Sequence, residues 1–137
     1  MATITPTPFV MKDAVLTLGV DDYQAAVSSA TLTPSSSIQT FKGLTPTAVY
    51  SEGTNATWTL DLTYAQDWTN PNSLGAYLYD NEGETVAFVL EPVADGAGFS
   101  GSVIITPGAA GGAVDGFATS TVTLGVVGKP ALTFPTP

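Results

Sequence analysis

The 137-residue sequence contains neither cysteine nor histidine. Without cysteine there is no disulfide framework and no thiolate metal site, so the fold depends on packing alone. Without histidine the commonest general base and metal ligand is missing, and no Ser-His-Asp or Cys-His site can form within one chain. We therefore expect a protein without enzymatic activity, catalytic residues, cofactor or bound metal.

Charged residues are also scarce. They make up 11% of the chain, against roughly 25% of an ordinary soluble domain. A hydrophobic content of 44% excludes disorder. The surface must be built largely from Thr, Ser, Ala, Gly and Asn, which lose little hydration and rotamer freedom at a protein contact. This composition favours a chain that is buried among partners.

The few charges are mostly negative, with a net charge of −9 and only three cations, Lys12, Lys42 and Lys129. Because the lysines are scattered, phosphate binding by charge neutralisation is excluded. An acidic surface repels DNA and suits a wall past which DNA slides without sticking. No apolar run is long enough for a membrane span and no secretion signal is recognisable, so we expect no membrane anchor.

Carboxylates supply the remaining chemical signals. A glycosidase-like pair is the one enzymatic alternative, drawn from Asp61, Asp67, Glu82, Glu84 and Glu91. Acidic residues on strand faces and at a helix end are ordinary surface groups, which disfavours this reading. The Asp-Gly steps at 95–96 and 115–116 lack the ligand spacing of a calcium loop and predict tight turns.

Alternation of apolar and polar residues predicts a mainly β fold. The clearest strand is 58–64, in which Trp58, Leu60, Leu62 and Tyr64 form one apolar face. Further strands are predicted at 14–18, 26–33, 38–42, 85–91, 99–106 and 117–127. About seven strands at this spacing indicate a β-sandwich or a barrel-like fold, and the length fits a single domain, 1–137.

One segment has helical periodicity. Asn70 is a suitable cap, Pro71 suits the first helical position, and Gly83 is a plausible stop. Leu74 and Leu78 fall on one face of this short helix. The Pro- and Gly-rich remainder comprises an N-terminal arm (1–10), a long loop (43–55), a flexible stretch (108–116) and an extended C-terminal tail (129–137), and such long irregular segments are usually functional or disordered.

A family resemblance rests on four segments in order: TLTPSSSIQTFKGLTP, WTLDLTYAQDW, NSLGAYLYDNEGETVAFVLEP and GGAVDGFATSTVTLGVVGKP. Together they span most of the chain and resemble the major tail tube proteins of long-tailed, siphovirus-like bacteriophages, particularly those with actinobacterial hosts. The resemblance implies a β-sandwich flanked by one helix, whose inner sheet joins a multi-subunit β-barrel in rings of six copies. Such rings stack into the tube through which the genome passes.

The same resemblance implies a virion protein of the phage tail, assembled in the host cytoplasm. Its partners would be further copies of itself and the tape measure, tail terminator and distal tail proteins, while DNA passes without specific binding. The loop 43–55 would reach a neighbouring subunit or ring, and the arm and tail would contact adjacent rings. Deletion of 130–137 is then expected to leave a folded protomer and to weaken stacking.

The strand 117–127 is nearly free of charge, which makes it a candidate for pairing between subunits. The candidate contact residues are Leu44, Pro46, Val49, Tyr50, Phe117, Thr119, Thr121, Thr123, Lys129 and Phe134. Two alternatives stay open. A capsid decoration or tail terminator protein has a similar composition but would not polymerise into tubes alone, whereas an immunoglobulin-like adhesion or carbohydrate-binding module would expose its aromatic residues.

Overall fold

A computed structural model describes residues 2–135 and confirms a mainly β domain with one α-helix in that range. The strands are β1 (Val15–Leu18), β2 (Asp21–Asp22), β3 (Val27–Ser35), β4 (Ile38–Lys42), β5 (Val49–Gly53), β6 (Thr57–Ala65), β7 (Thr85–Glu91), β8 (Gly98–Ile104), β9 (Thr119–Val126) and β10 (Ala131–Thr133). The helix α1 spans Leu74–Asp80, and a 3-10 turn spans Gln24–Ala26.

Eight strands form one antiparallel sheet in the order β2-β1-β7-β8-β9-β6-β3, with β10 attached to β8. The other two strands, β4 and β5, pair only with each other. Two strands pair with different parts of the same edge of β8. Ile104 near the end of β8 lies opposite Gly125 of β9, and Ser100 near its start lies opposite Ala131 of β10. Short pairing between β8 and β9 lets the sheet turn there and enclose its own apolar face.

The core lies between the two halves of this curled sheet. The period-2 pattern of β6 buries Leu60, Leu62 and Tyr64, as the sequence predicts. Leu18 of β1 and Phe88 of β7 belong to the same buried cluster, although these strands lie far from β6 in the sheet order. Strands from both halves of the sheet therefore bury their side chains in one core, which makes the domain barrel-like.

Helix α1 closes one end of this core through Leu74 and Leu78, which are buried as predicted. Its start is later than the sequence indicates: the cap is Ser73, whose Oγ accepts a hydrogen bond from the Ala76 amide. Asn70 and Pro71 lie in the preceding turn, because the Asp67 carboxylate accepts bonds from residues 69 and 70 and bends the chain. Those bonds, the Thr69 hydroxyl first, lower the pKa of Asp67.

Two segments that were expected to be irregular contain strands. The range 43–55 holds β5, which pairs with β4 from Val49 opposite Lys42 to Gly53 opposite Ile38. The tail 129–137 holds β10, and its last two residues, like Met1 of the arm, lie outside the described residues. Both strands are short and lie among Gly, Pro, Ser and Thr residues that favour loops, and neither has a side facing the core, so neither shows the one-sided alternation that predicts a strand. The equally exposed β4 was predicted because its Ile38 and Phe41 mark it as a strand.

The Asp-Gly steps form turns as predicted, but the positive φ falls on Asp95 and Asp115 rather than on the glycines. Asp tolerates this left-handed conformation better than most residues. Among residues 2–135, no helix is long and apolar enough to cross a membrane. No group of three or more acidic residues lies close enough within this range to hold a metal ion.

Replacing Leu124 by alanine tests the shared core, because this β9 side chain is fully buried. We expect the free energy of unfolding, measured by urea denaturation, to fall by about 2–5 kcal/mol. The matched control is Thr119→Ala on the exposed side of the same strand, for which a change within about 0.5 kcal/mol is expected. Equal losses from the two variants would contradict the assigned facing of β9.

Candidate assembly surface

The most prominent exposed feature is the hairpin of β4 and β5, residues 38–53, which lies outside the main sheet. All its strand residues are exposed. Its base is tied by the Ser37 and Thr54 hydrogen bonds, and Thr40 bonds Ser51 across the strands. An isolated two-stranded hairpin is marginally stable in water, so this one gains from being covered by a partner.

The hairpin carries apolar side chains on both faces. Tyr50 lies opposite Phe41 with ring centroids 6.3 Å apart, and Val49 and Ile38 project from the other face. Tyr50 is 64% exposed, and Leu44 at the tip is fully exposed. Four predicted contact residues, Leu44, Pro46, Val49 and Tyr50, are thus brought together on one projecting element.

The strand β9, which is predicted to pair between subunits, has a full partner strand on one edge only. It pairs with β6 from Thr119 opposite Ala65 to Gly125 opposite Thr59, but with β8 only at Gly125 and Val126. The other edge of 119–124 therefore meets no strand among residues 2–135, and its pairing between subunits stays a prediction. The strand also begins at Thr119, so the predicted strand residue Phe117 lies in the preceding loop with its side chain 99% exposed. The choice of strand partner depends on distant residues, which the charge-free sequence of β9 does not reveal.

The two strands at the ends of the main sheet are β2, with two residues, and β3, with nine, so β3 presents the longer open edge. It pairs with β6 along nearly its whole length, through a bulge at Ser28, and no other strand among residues 2–135 pairs with its outer side. Pro34 near its end is compatible with an edge position. A long open edge is a template for pairing with another chain.

The exposed side of β3, β6 and β9 forms a surface rich in hydroxyls, here named the hydroxyl face. Its members are Ser29, Thr31, Thr33, Ser35, Thr57, Thr59, Asp61, Thr63, Ala65, Thr119, Thr121, Thr123 and Gly125. The predicted contacts Thr119, Thr121 and Thr123 all lie on it. Thr63 and Thr121 share a hydrogen bond of 3.1 Å, and Asp61 accepts bonds from Thr33 at 3.2 Å and Thr123 at 2.7 Å.

The loop before β9 is held by Gln66. Its side-chain amide donates to the carbonyl oxygens of Gly111 and Thr119, and its carbonyl accepts from the Gly111 amide and the Trp68 indole. This clamp leaves Phe117 projecting into solvent. The sequence gives no indication of the clamp, because it joins residues far apart in the chain.

The C-terminal tail runs along β8. Pro130 is buried and its Cα packs on Gly101, while Lys129 and Phe134 are exposed. Phe134 and Thr133 line a cleft of about 380 Å³ beside Glu91. The tail is therefore partly docked on its own protomer and partly available to a neighbour.

The N-terminal arm is exposed throughout residues 2–10, and it displays Ile4, Phe9 and Val10. Where it meets the domain, a second cleft of about 330 Å³ separates β1 from β3 and is lined by Met11, Leu16 and Val27 among others. The apolar side chains of the arm are therefore available to a neighbouring copy.

Several exposed residues were missed by sequence reasoning. Ile38 and Phe41 are further exposed apolar residues of the hairpin. Asp61, which accepts hydrogen bonds from Thr33 and Thr123, lies on the exposed side of the main sheet next to the β3 edge. The cross-strand partners could not be identified because β5 itself was not predicted. The alternation of Thr31 and Thr33 with Leu32 was a usable signal for the facing of β3.

No protein-family model and no curated protein matches the sequence. Two solved structures contain chains of similar fold. A chain in the virion of a native gene transfer agent particle superposes with a TM-score of 0.67 and 15% identity, covering 94% of this chain and 100% of that chain. A chain in the tail of an empty gene transfer agent particle, refined helically with C6 symmetry, superposes with a TM-score of 0.58 and 14% identity. This match covers 81% of this chain and 83% of that chain. Both likenesses establish a shared fold.

Deletion of 130–137 removes β10 and buried Pro130, so it should weaken the protomer as well as any stacking. We expect a loss of roughly 1–3 kcal/mol in the free energy of unfolding, from the lost β8 pairing and packing. The control deletion 134–137 keeps β10 paired with β8 and should leave stability nearly unchanged. Urea denaturation measures both, and equal stability of the two deletions would mean that β10 contributes nothing.

Proposed function

We propose that the chain is a non-enzymatic structural subunit of a phage-like tail, which assembles into stacked rings forming the tail tube. The observation that carries this proposal is the combination of an open β3 edge and an uncovered apolar hairpin in a fold shared with chains of a gene transfer agent virion and tail. The C6 symmetry of that tail supports rings of six copies.

Ring closure answers the problem of the open edge. The outer side of β3 presents unpaired amide and carbonyl groups, which promote uncontrolled association unless they are covered. Pairing of β3 with a different edge of the next copy is a heterologous contact, and such contacts form a ring when the rotation between copies closes after a whole number of them. The inner sheets of the copies then join into one multi-subunit β-barrel without free edges.

The hairpin and the arms supply the remaining contacts. Tyr50, Phe41 and Leu44 expose apolar area on an element that has no core of its own, and burial of such area stabilises association by about 25 cal/mol per Å². The N-terminal arm and the exposed end of the tail contact the adjacent ring. The assembled tube is a part of the virion, made in the host cytoplasm with the tape measure, tail terminator and distal tail proteins.

Electron microscopy of the purified chain tests this proposal. We expect negative staining to show hollow tubes or stacked rings at high protein concentration without any partner protein. Monomers or trimers at every concentration would instead favour a capsid decoration protein or an adhesion module, and single unstacked rings would favour a tail terminator. Addition of pre-formed tail tips distinguishes a chain that needs an initiator, because tubes then grow only on the tips.

The hairpin contact is tested by Tyr50→Ser against Tyr79→Ser. Both tyrosines are similarly exposed, at 64% and 68%, but Tyr79 lies on α1 away from the hairpin. We expect Tyr50→Ser to raise the critical concentration for tube formation by roughly tenfold or more, since a central interface aromatic contributes about 2 kcal/mol. Sedimentation of tubes measures this concentration, and an equal shift in both variants would argue against a hairpin contact.

A further inference from the structure

The hydroxyl face differs in chemistry from the other exposed surfaces of the chain. It contains no large apolar side chain, whereas the exposed Phe41, Tyr50, Phe117 and Phe134 all lie elsewhere. Hydrophobic burial is the main driving force of protein association. Contact with another protein would therefore gain little at this face and much at the hairpin, the loop before β9 and the tail.

The polar groups of the face also bond one another. The carboxylate of Asp61 joins three strands by accepting bonds from Thr33 of β3 and Thr123 of β9. Thr63 and Thr121 form a second cross-strand bond beside it. Asp61 and four threonines of the face are thus already paired along the sheet, which leaves these groups less available to bind a ligand.

The charges of the face are equally distinctive. Asp61 is its one ionisable residue, and all three lysines, Lys12, Lys42 and Lys129, lie outside it. Duplex DNA carries one negative charge per about 1.7 Å of its axis, and its binding depends on neutralising cations. A surface without cations cannot hold the phosphate backbone.

The position of the face within the fold favours the inside of a ring. The strands β3, β6 and β9 include the open edge through which a sheet continues to the next copy. The strands β1 and β7 and the helix α1 contribute to the core behind this sheet. In a closed ring the circumference grows with radius. The layer that contains β1, β7 and α1 is bulkier and therefore fits outside, and the layer of β3, β6 and β9 fits inside.

We propose that the hydroxyl face lines the channel of the assembled tube, with Asp61 as its one charged group per subunit. This assignment rests on the proposed tube function and names the surface that a nucleic-acid duplex passes. The duplex meets bound water and threonine hydroxyls, and the Asp61 carboxylates repel its phosphates. The wall allows passage because it offers no attractive site at which the polyanion would stop.

The natural absence of cysteine permits a direct test with single-cysteine variants. Thr121→Cys places a thiol on the hydroxyl face, and Tyr79→Cys places one on α1 as the outer control. Tubes and dissociated protomers of each variant are treated with N-ethylmaleimide and with a polyethylene-glycol maleimide larger than the channel seen by microscopy. Gel shifts give the rate of modification, and negative staining verifies that the tubes stay intact.

We expect Thr121→Cys in tubes to react with N-ethylmaleimide but to react with the polymer an order of magnitude more slowly than in protomers. Tyr79→Cys should react with both reagents in both states. If Thr121→Cys in intact tubes reacts fully with the polymer, the hydroxyl face lies on the outside of the tube. If it is protected from both reagents, the face lies in a contact between subunits. Either result overturns the channel assignment but leaves the proposed tube function standing. If Thr121→Cys does not assemble, Thr119→Cys on the same face gives the same readout. Failure of the unmodified chain to form tubes both alone and on added tail tips would remove the proposed function and this assignment together.

Discussion

The open edge of β3 is the constraint on which the proposed assembly depends. Within residues 2–135, the main sheet ends at β3, whose outer backbone groups meet no other strand. The protomer buries its apolar strand faces in one core, and β3 is the longer of the two strands that end the sheet. A protein that left a long edge free would risk aggregation, and ordered pairing between copies removes that risk while building a wall.

In the proposed tube, the hairpin and the hydroxyl face have different roles. The hairpin concentrates exposed apolar side chains on an element that lacks a core, and it thereby favours contact with a neighbour. The hydroxyl face lacks such side chains, and four of its threonine hydroxyls form hydrogen bonds across strands. The low charge of the chain fits both proposed roles, because long charged side chains would oppose burial at the hairpin and lysines would bind DNA at the hydroxyl face.

The local structure was more predictable from the sequence than the arrangement of the strands. The bounds of β4 and β7 agree with the predicted ones, and those of β6 differ by one residue at each end. Each of these strands either alternates clearly between apolar and polar residues or is bounded by turn residues. The strands β5 and β10 were missed because they are short, lie among residues that favour loops and, being exposed on both sides, show no alternation. The pairing of β9 with β6 could not be predicted either, because strand order is set by long-range pairing that no single strand encodes. Of the candidate contact residues, all ten are exposed, but the sequence could not show that four share one hairpin and three share one face.

Hydrogen–deuterium exchange of β3, residues 27–35, in protomers and in assembled particles tests the central claim most directly. The outward-facing amides of β3 should exchange rapidly in the protomer and become strongly protected on assembly, while the buried pairing of β6 with β9 is protected in both states. Assembled particles in which the β3 amides exchange as fast as in the protomer would contradict closure of the ring through this edge.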